Sequence, residues 1–301
     1  NGNWLDLANR KNISADMAPT ASQMPRALGL AYASKCFRQS NHLRELDSLS
    51  HNGNEVCFCT IGDASTSEGH FWETMNAAAV QQIPLAVFVW DDGYGISVPK
   101  KYQTTKGSIS EALKGFQKKD GTNGIEIYKV KAWDYAGMCE VFEAGIEKIR
   151  QTHTPALFHV EEVTQPQGHS TSGSHERYKT TDRLQWERDW DCIKKMKEWI
   201  IENNLAVEEE LSLVEREIKE FVRNEKNAAW IEYESPIKEQ VKEVASALRQ
   251  SAASSANNAE VEKLLRELEA NREPNRRDVM SALFKSISVA GLAQTSANEL
   301  Y

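Results

Sequence analysis

The sequence of 301 residues has little cysteine and no long apolar run. Its five cysteines, Cys36, Cys57, Cys59, Cys139 and Cys192, are odd in number and form no C-x-x-C pair. That argues against a disulfide framework, a zinc site or a dithiol redox site, and for reduced thiols. The apolar stretch from Ile83 to Trp90 falls far short of the roughly 20 residues that cross a bilayer. The chain opens with Asn1, Gly2 and Asn3, not with a basic and apolar leader, so membrane insertion and secretion are not expected and a cytoplasmic location is. Basic residues are in deficit: 36 Lys and Arg stand against 44 Asp and Glu, for a net charge of −8. Without a long basic run, nucleic acid is not an expected partner, because its phosphates require clustered cations. Glycine (16) and proline (8) are too few for a collagen-like or low-complexity chain. What remains, 40% hydrophobic and 27% charged, is the composition of a globular protein with a packed core.

To about residue 180 the chain alternates helix and strand. An Ala-rich run over Gln23 to Arg38 predicts a helix, with Pro25 suited to its first turn. Glu55 to Ile61 (EVCFCTI) and Leu85 to Trp90 (LAVFVW) read as buried parallel strands, with a helix between them from Phe71 to Gln82. That is a βαβ unit. Ile125 to Lys131 predicts another strand, Tyr135 to Thr152 an amphipathic helix, and Ala156 to Val163 a further strand. The fold class is therefore α/β with a mainly parallel sheet flanked by helices. Gln165 to Asp182 is a polar loop. Beyond it the pattern is charged and helical: Thr181 to Asn203, then Val207 to Asn227, whose first turn carries Glu208, Glu209 and Glu210. A third helical stretch, Ser235 to Ala270, starts at Ser235 and Pro236 and is broken by a mobile connection around Gln250 to Asn258. The expected division is an α/β domain over 1–180, a helical extension over 181–270, and a linker or lead-in over 271–301.

Chemistry-bearing residues gather where the first two strands end. Ile61, Gly62, Asp63 and Ala64 close one strand, and Asp91, Asp92, Gly93, Tyr94 and Gly95 close the other. Ligands of open α/β sheets collect at such strand ends. Asp63 and Asp92 brought together would repel unless a cation lay between them, and Mg²⁺ takes one or two carboxylates along with phosphate oxygens and water. Gly93 and Gly95 would let a backbone carbonyl join the ligand set. An Asp after Gly at a strand end also serves as a turn former or helix cap, and His169 as a solvated loop histidine.

Three ordered segments settle the choice through a resemblance. Gly62 to Ser97, GDASTSEGHFWETMNAAAVQQIPLAVFVWDDGYGIS, resembles the thiamine diphosphate motif of the alpha subunit of the decarboxylating component of 2-oxo acid dehydrogenases, with Ser67, Glu68, Gly69, Asn76, Pro84, Tyr94 and Ser97 in register. Ala18 to Lys35, APTASQMPRALGLAYASK, resembles that family's Gln-Met-Pro segment. Gly168 to Asp182, GHSTSGSHERYKTTD, resembles its His-Ser loop in the branched-chain form. The resemblance implies a thiamine diphosphate-binding fold with a C-terminal helical extension. It implies that Asp63, the Asp92 side chain and the Tyr94 carbonyl hold Mg²⁺. Gly62, Asp63, Ala64, Asp92, Tyr94, Ile96 and His169 are then cofactor-binding, and His169 also catalytic. Ser170 occupies a position that kinases modify in some members, and Ser22 and Gln23 match monovalent-cation positions of branched-chain relatives. Ala64, Trp90 and Asp92 stand where the family places Gly, Arg and Asn.

The implied activity is thiamine diphosphate- and Mg²⁺-dependent oxidative decarboxylation of a 2-oxo acid, with acyl transfer to a lipoyl group. 2-Oxoisovalerate is the preferred substrate, in branched-chain amino acid catabolism; a pyruvate or acetoin enzyme, or a non-catalytic assembly subunit that kept the fold, are the alternatives. The partners so implied are a beta subunit or beta domain and a lipoyl-bearing acyltransferase component. The assembly would be a homodimer or alpha2beta2-like, and the alpha portion inactive alone. Arg272 to Gly291 faintly resembles the lead-in to a beta domain, which makes a fused alpha-beta polypeptide the expected natural form.

Overall fold

The computed structural model describes residues 19–290 apart from 44, 47, 170–173 and 255–256. Ser170, the stretch Asn1 to Met17, and the chain from Gly291 to Tyr301 lie outside the described residues. The chain divides into two compact units, Asn1–Ala206 and Val207–Tyr301.

In the first unit the order is α1 (Gln23–Gln39), β1 (Cys57–Gly62), α2 (Gly69–Gln81) and β2 (Leu85–Trp90). A two-stranded hairpin follows, β3 (Tyr94–Gly95) and β4 (Val98–Pro99), then a short α3 (Ile109–Ala112). The unit continues with β5 (Glu126–Lys131), α4 (Tyr135–Thr152), β6 (Ala156–Glu161), α5 (Thr181–Asp189) and α6 (Cys192–Glu202). The main sheet runs β1-β2-β6-β5, with every neighbouring pair parallel. Both faces of β2 are covered, which is why LAVFVW is a continuous apolar run and not an alternating one. Leu85, Val87 and Val89 pack with Met24, Phe71, Met75 and Ile109 on the face of α1, α2 and α3. Ala86 and Phe88 turn to the other face, with Ile149, Phe158 and Phe142 beneath α4. The expected α/β architecture with a parallel sheet is what the chain forms, and parallel order sends the ends of β1 and β2 out on the same edge.

The stretch Thr181 to Asn203 is two helices and not one. Asp191 caps α6 by accepting from the Lys194 amide at 3.0 Å, and Thr180 caps α5 through the Arg183 amide at 3.2 Å. Both helices belong to the first compact unit, which runs to Ala206. The physical reason is long-range anchoring: Arg183 donates to the Asp92 carbonyl at 2.8 Å, and the Trp190 ring packs on Trp133 at 4.6 Å.

The second unit holds α7 (Glu208–Ser254), α8 (Asn258–Ala270) and α9 (Arg276–Ala290). α7 runs unbroken through Pro236, where a helix start was expected. Proline removes one ladder donor, and the adjacent Ser235 hydroxyl bonds back to the Ile231 carbonyl at 2.7 Å. Val244 and Leu248 of α7 pack with Val261 and Leu265 of α8 and with Val279 and Leu283 of α9. Within the stretch 271–301, residues 276–290 form a helix that packs in this unit. Among the described residues no helix is long and apolar enough to cross a membrane.

Candidate metal and cofactor site

Asp63 follows β1 directly and opens a single 3₁₀ turn over Ala64–Ser67. Its amide donates to the Trp90 carbonyl at 3.2 Å, which ties it to the end of β2. Thr66 returns both its amide (3.1 Å) and its hydroxyl (2.5 Å) to the Asp63 carbonyl. The backbone is thus held while the side chain is left over: Asp63 is 4% exposed, and its Oδ2 is buried with no hydrogen-bond partner. A buried, unpaired carboxylate oxygen is costly. Burial first, then the charges of Asp91 and Asp92, push the Asp63 carboxyl up to about 7.

Asp92 bends its own loop. Its Oδ1 accepts from the Tyr94 amide at 3.0 Å, and Asp91 Oδ1 accepts from the Gly93 amide at 2.9 Å. The Asp92 carboxyl is raised by burial, against the Tyr94 N–H and the nearby Lys179 that pull it down. The hairpin then folds back over Ala64. A Cβ on Gly95 would lie 2.8 Å from Ala64 Cβ and against the Gln103 side-chain amide, so only glycine lets the two strand-end loops meet this closely. Gly62, the last residue of β1, is exposed. Ile96 caps the hairpin, 60% exposed and at φ 58°, a left-handed conformation that a β-branched side chain rarely takes.

His169 is exposed, and among the described residues no hydrogen bond or ion pair joins it to Asp63, Asp92 or Tyr94. Its neighbour Gly168 reaches the site indirectly. At φ 73°, a Cβ there would sit 2.9 Å from His175 Cβ and 3.4 Å from the Tyr178 hydroxyl, and the Tyr178 ring meets the Tyr94 ring at 5.8 Å. The Ser22 hydroxyl bonds to the Pro19 carbonyl, and Gln23 donates to the Thr60 carbonyl at 3.0 Å.

The family described as Dehydrogenase E1 component matches residues 4–250. The chain belongs to that family. It is 25% identical over 203 residues to the pyruvate dehydrogenase E1 component subunit alpha of Rickettsia bellii (strain RML369-C), covering 67% of this chain and 55% of the relative. With the subunit of the same name from Porphyra purpurea it shares 28% over 209 residues, covering 69% and 56%. With the 2-oxoisovalerate dehydrogenase subunit alpha 1, mitochondrial, of Arabidopsis thaliana it shares 28% over 210 residues, covering 68% and 39%. The chain thus spans about half the length, or less, of these curated relatives.

Against this E1 background, the residues that sequence reasoning passed over are the ones that neutralise the site. Asp91, 2% exposed, meets Lys100 Nζ at 2.7 Å and His159 Nε2 at 2.9 Å, and His159 Nδ1 meets the Ser110 hydroxyl at 2.9 Å. These contacts hold the Asp91 carboxyl below the usual range despite its burial. Asp92 is offset by Lys179 and Arg183. Lys179 also lies 5.3 Å and Arg183 5.4 Å from the Tyr94 ring centre. The signal for His159 was faint but present: a histidine inside the apolar strand ALFHVE needs a polar partner. Among the described residues no three His, Cys, Asp or Glu side chains converge for a metal. The donors on offer are two carboxylates and loop carbonyls, a hard oxygen set that leaves positions for phosphate oxygens and water. Asp63, with its orphaned oxygen, fits a divalent cation of the Mg²⁺ type.

Proposed function

We propose that this chain is the alpha portion of a thiamine diphosphate-dependent E1, which decarboxylates a 2-oxo acid and passes the acyl group to the lipoyl arm of an acyltransferase component. The observation that carries the reading is the buried, unpartnered Asp63 Oδ2 at the joined ends of β1 and β2, in a member of the E1 family. Asp63, the Asp92 carboxylate and the Tyr94 carbonyl would hold Mg²⁺, and through it the diphosphate. When bound, the cofactor supplies the electron sink that 2-oxo acid decarboxylation needs. The chain's own residues do the rest. Gly62 and Ala64 would lie beside the diphosphate at the end of the first strand, Ile96 presents an apolar side chain at the hairpin tip, and His169 would serve as the acid-base group of its loop. A beta subunit or domain completes the site, in a homodimer or alpha2beta2-like assembly.

The preferred substrate is 2-oxoisovalerate, on the strength of the GHSTS loop; likeness to both a pyruvate and a 2-oxoisovalerate alpha subunit supports the reaction class more than the side chain. The test is carbon dioxide release and lipoyl acylation by the assembled alpha and beta portions with Mg²⁺ and cofactor. Turnover of 2-oxoisovalerate at least about tenfold more efficient than that of pyruvate is expected, roughly the worth of one well-filled apolar pocket. Turnover of pyruvate alone overturns the substrate, and turnover of neither overturns the reaction.

A further inference from the structure

Behind the Asp92–Tyr94 loop lies a cluster of charges that the proposed chemistry does not use. Glu187 on α5 is 1% exposed, yet it is ionically paired twice. Its two oxygens take Lys179 Nζ at 2.7 and 2.8 Å, and its Oε1 also takes Arg183 Nε at 2.9 Å. The Lys179 side chain is 3% exposed and that of Arg183 26%. A carboxylate buried to this degree persists only when its partners are held with it. Both cations point the same way. Arg183 donates through Nη2 to the Asp92 carbonyl at 2.8 Å, and both cations lie over the Tyr94 ring. Tyr178, one residue before Lys179, packs on the same ring, and its hydroxyl lies 3.4 Å from where a Cβ on Gly168, at the base of the His169 loop, would stand.

We infer that Glu187 is a positioning residue for the metal-binding loop: through Arg183 and Lys179 it fixes the peptide between Asp92 and Gly93 and the ring of Tyr94, and it ties the base of the His169 loop to the same point. The inference rests on the reading of Asp92 and Tyr94 as Mg²⁺ donors. Arg183 bonds to a backbone carbonyl and so sets the direction of the peptide, which a charge at the same distance would not do. With one anion and two cations, the cluster also leaves one positive charge to offset the Asp92 carboxylate. Nothing in the Gly62 to Ser97 motif encodes this device, because its three members lie more than eighty residues further along the chain.

The experiment compares the full polypeptide, assembled with its beta portion, with its Glu187→Gln and Arg183→Gln variants. Amide hydrogen exchange without cofactor reads the loop itself. Peptides covering Gly93 and Tyr94 should exchange at least about tenfold faster in both variants, while those of β2 keep wild-type protection. Calorimetric titration then reads the site: the Mg²⁺ dissociation constant in the presence of thiamine diphosphate should rise about tenfold. Arg183→Gln leaves the Lys179 pair intact, so it decides the matter if Glu187→Gln fails to fold. Wild-type exchange over Gly93 and Tyr94 in the folded variants overturns the inference. If the wild-type assembly binds no cofactor, the functional reading falls, and the exchange measurement still decides whether Glu187 orders the loop.

Discussion

Cys57 and Cys59 lie in β1, where burial pushes their thiols up to about 11 and about 12. At about pH 8 that leaves roughly one thiolate in a thousand and one in ten thousand, and only the thiolate reacts. Cys139, exposed on α4, has no such protection from reagent. Iodoacetamide on the native protein is expected to mark Cys139 first and to leave Cys57 and Cys59 unmodified until urea is added. Peptide mass spectrometry showing Cys59 labelled as fast as Cys139 would contradict the buried strand. Legibility at this scale followed chain distance. Asp63 and Asp92 were readable because each ends an apolar run, and the ends of two parallel neighbours must meet. Asp91 was visible as a letter but not as a hub, since its partners Lys100 and His159 come from the hairpin and from a strand 68 positions away.

Elements with strong local patterns came out where the pattern placed them. β2 occupies Leu85–Trp90 and α4 occupies Tyr135–Thr152 in both the expected and the observed assignments. The failures are cases where a local rule met a tertiary fact. Pro236 is a sound helix-start signal, yet α7 passes through it because Ile237 and Val244 beyond it are buried against α8 and α9. The Thr181 stretch has helical periodicity throughout, but the Asp191 cap restarts it. The end of α4 offers a test at this scale. His153 closes that helix at φ 56° and bonds through Nε2 to the Gly53 carbonyl at 3.2 Å, nearly buried. Burial, and secondarily Arg38, hold its pKa below the ordinary 6.5. Above 6.5 the ring is neutral in the folded and the unfolded chain alike. As the pH falls through 6.5 the unfolded chain takes up its proton first, so stability present above that value is lost toward the lower folded pKa. The urea midpoint is therefore expected to fall between about pH 7.5 and about pH 5.5, and to fall less in His153→Asn, whose side chain tolerates the left-handed cap. An equal fall in both proteins would remove His153 as a cause.

For the molecule as a whole, the net charge of −8 says little about the site, because the cations are concentrated where they count. Lys100 faces Asp91, and Lys179 and Arg183 face Asp92. These cations offset the carboxylates at the strand ends, a local balance that composition alone could not reveal. Asp63 keeps one buried carboxylate oxygen without a hydrogen-bond partner, and the proposed site turns on that oxygen. The most direct measurement is calorimetric titration of thiamine diphosphate into the assembled alpha and beta portions, with Mg²⁺ or with chelator, for the wild type and for Asp63→Asn. Binding should require Mg²⁺ and should weaken at least about a hundredfold in Asp63→Asn, a loss of about 2.7 kcal/mol. The same variant, relieved of a buried charge beside Asp91 and Asp92, should be more stable without cofactor by on the order of 2 kcal/mol. Binding that ignores the metal, or an Asp63→Asn variant that binds as the wild type does, would contradict the assignment of this site.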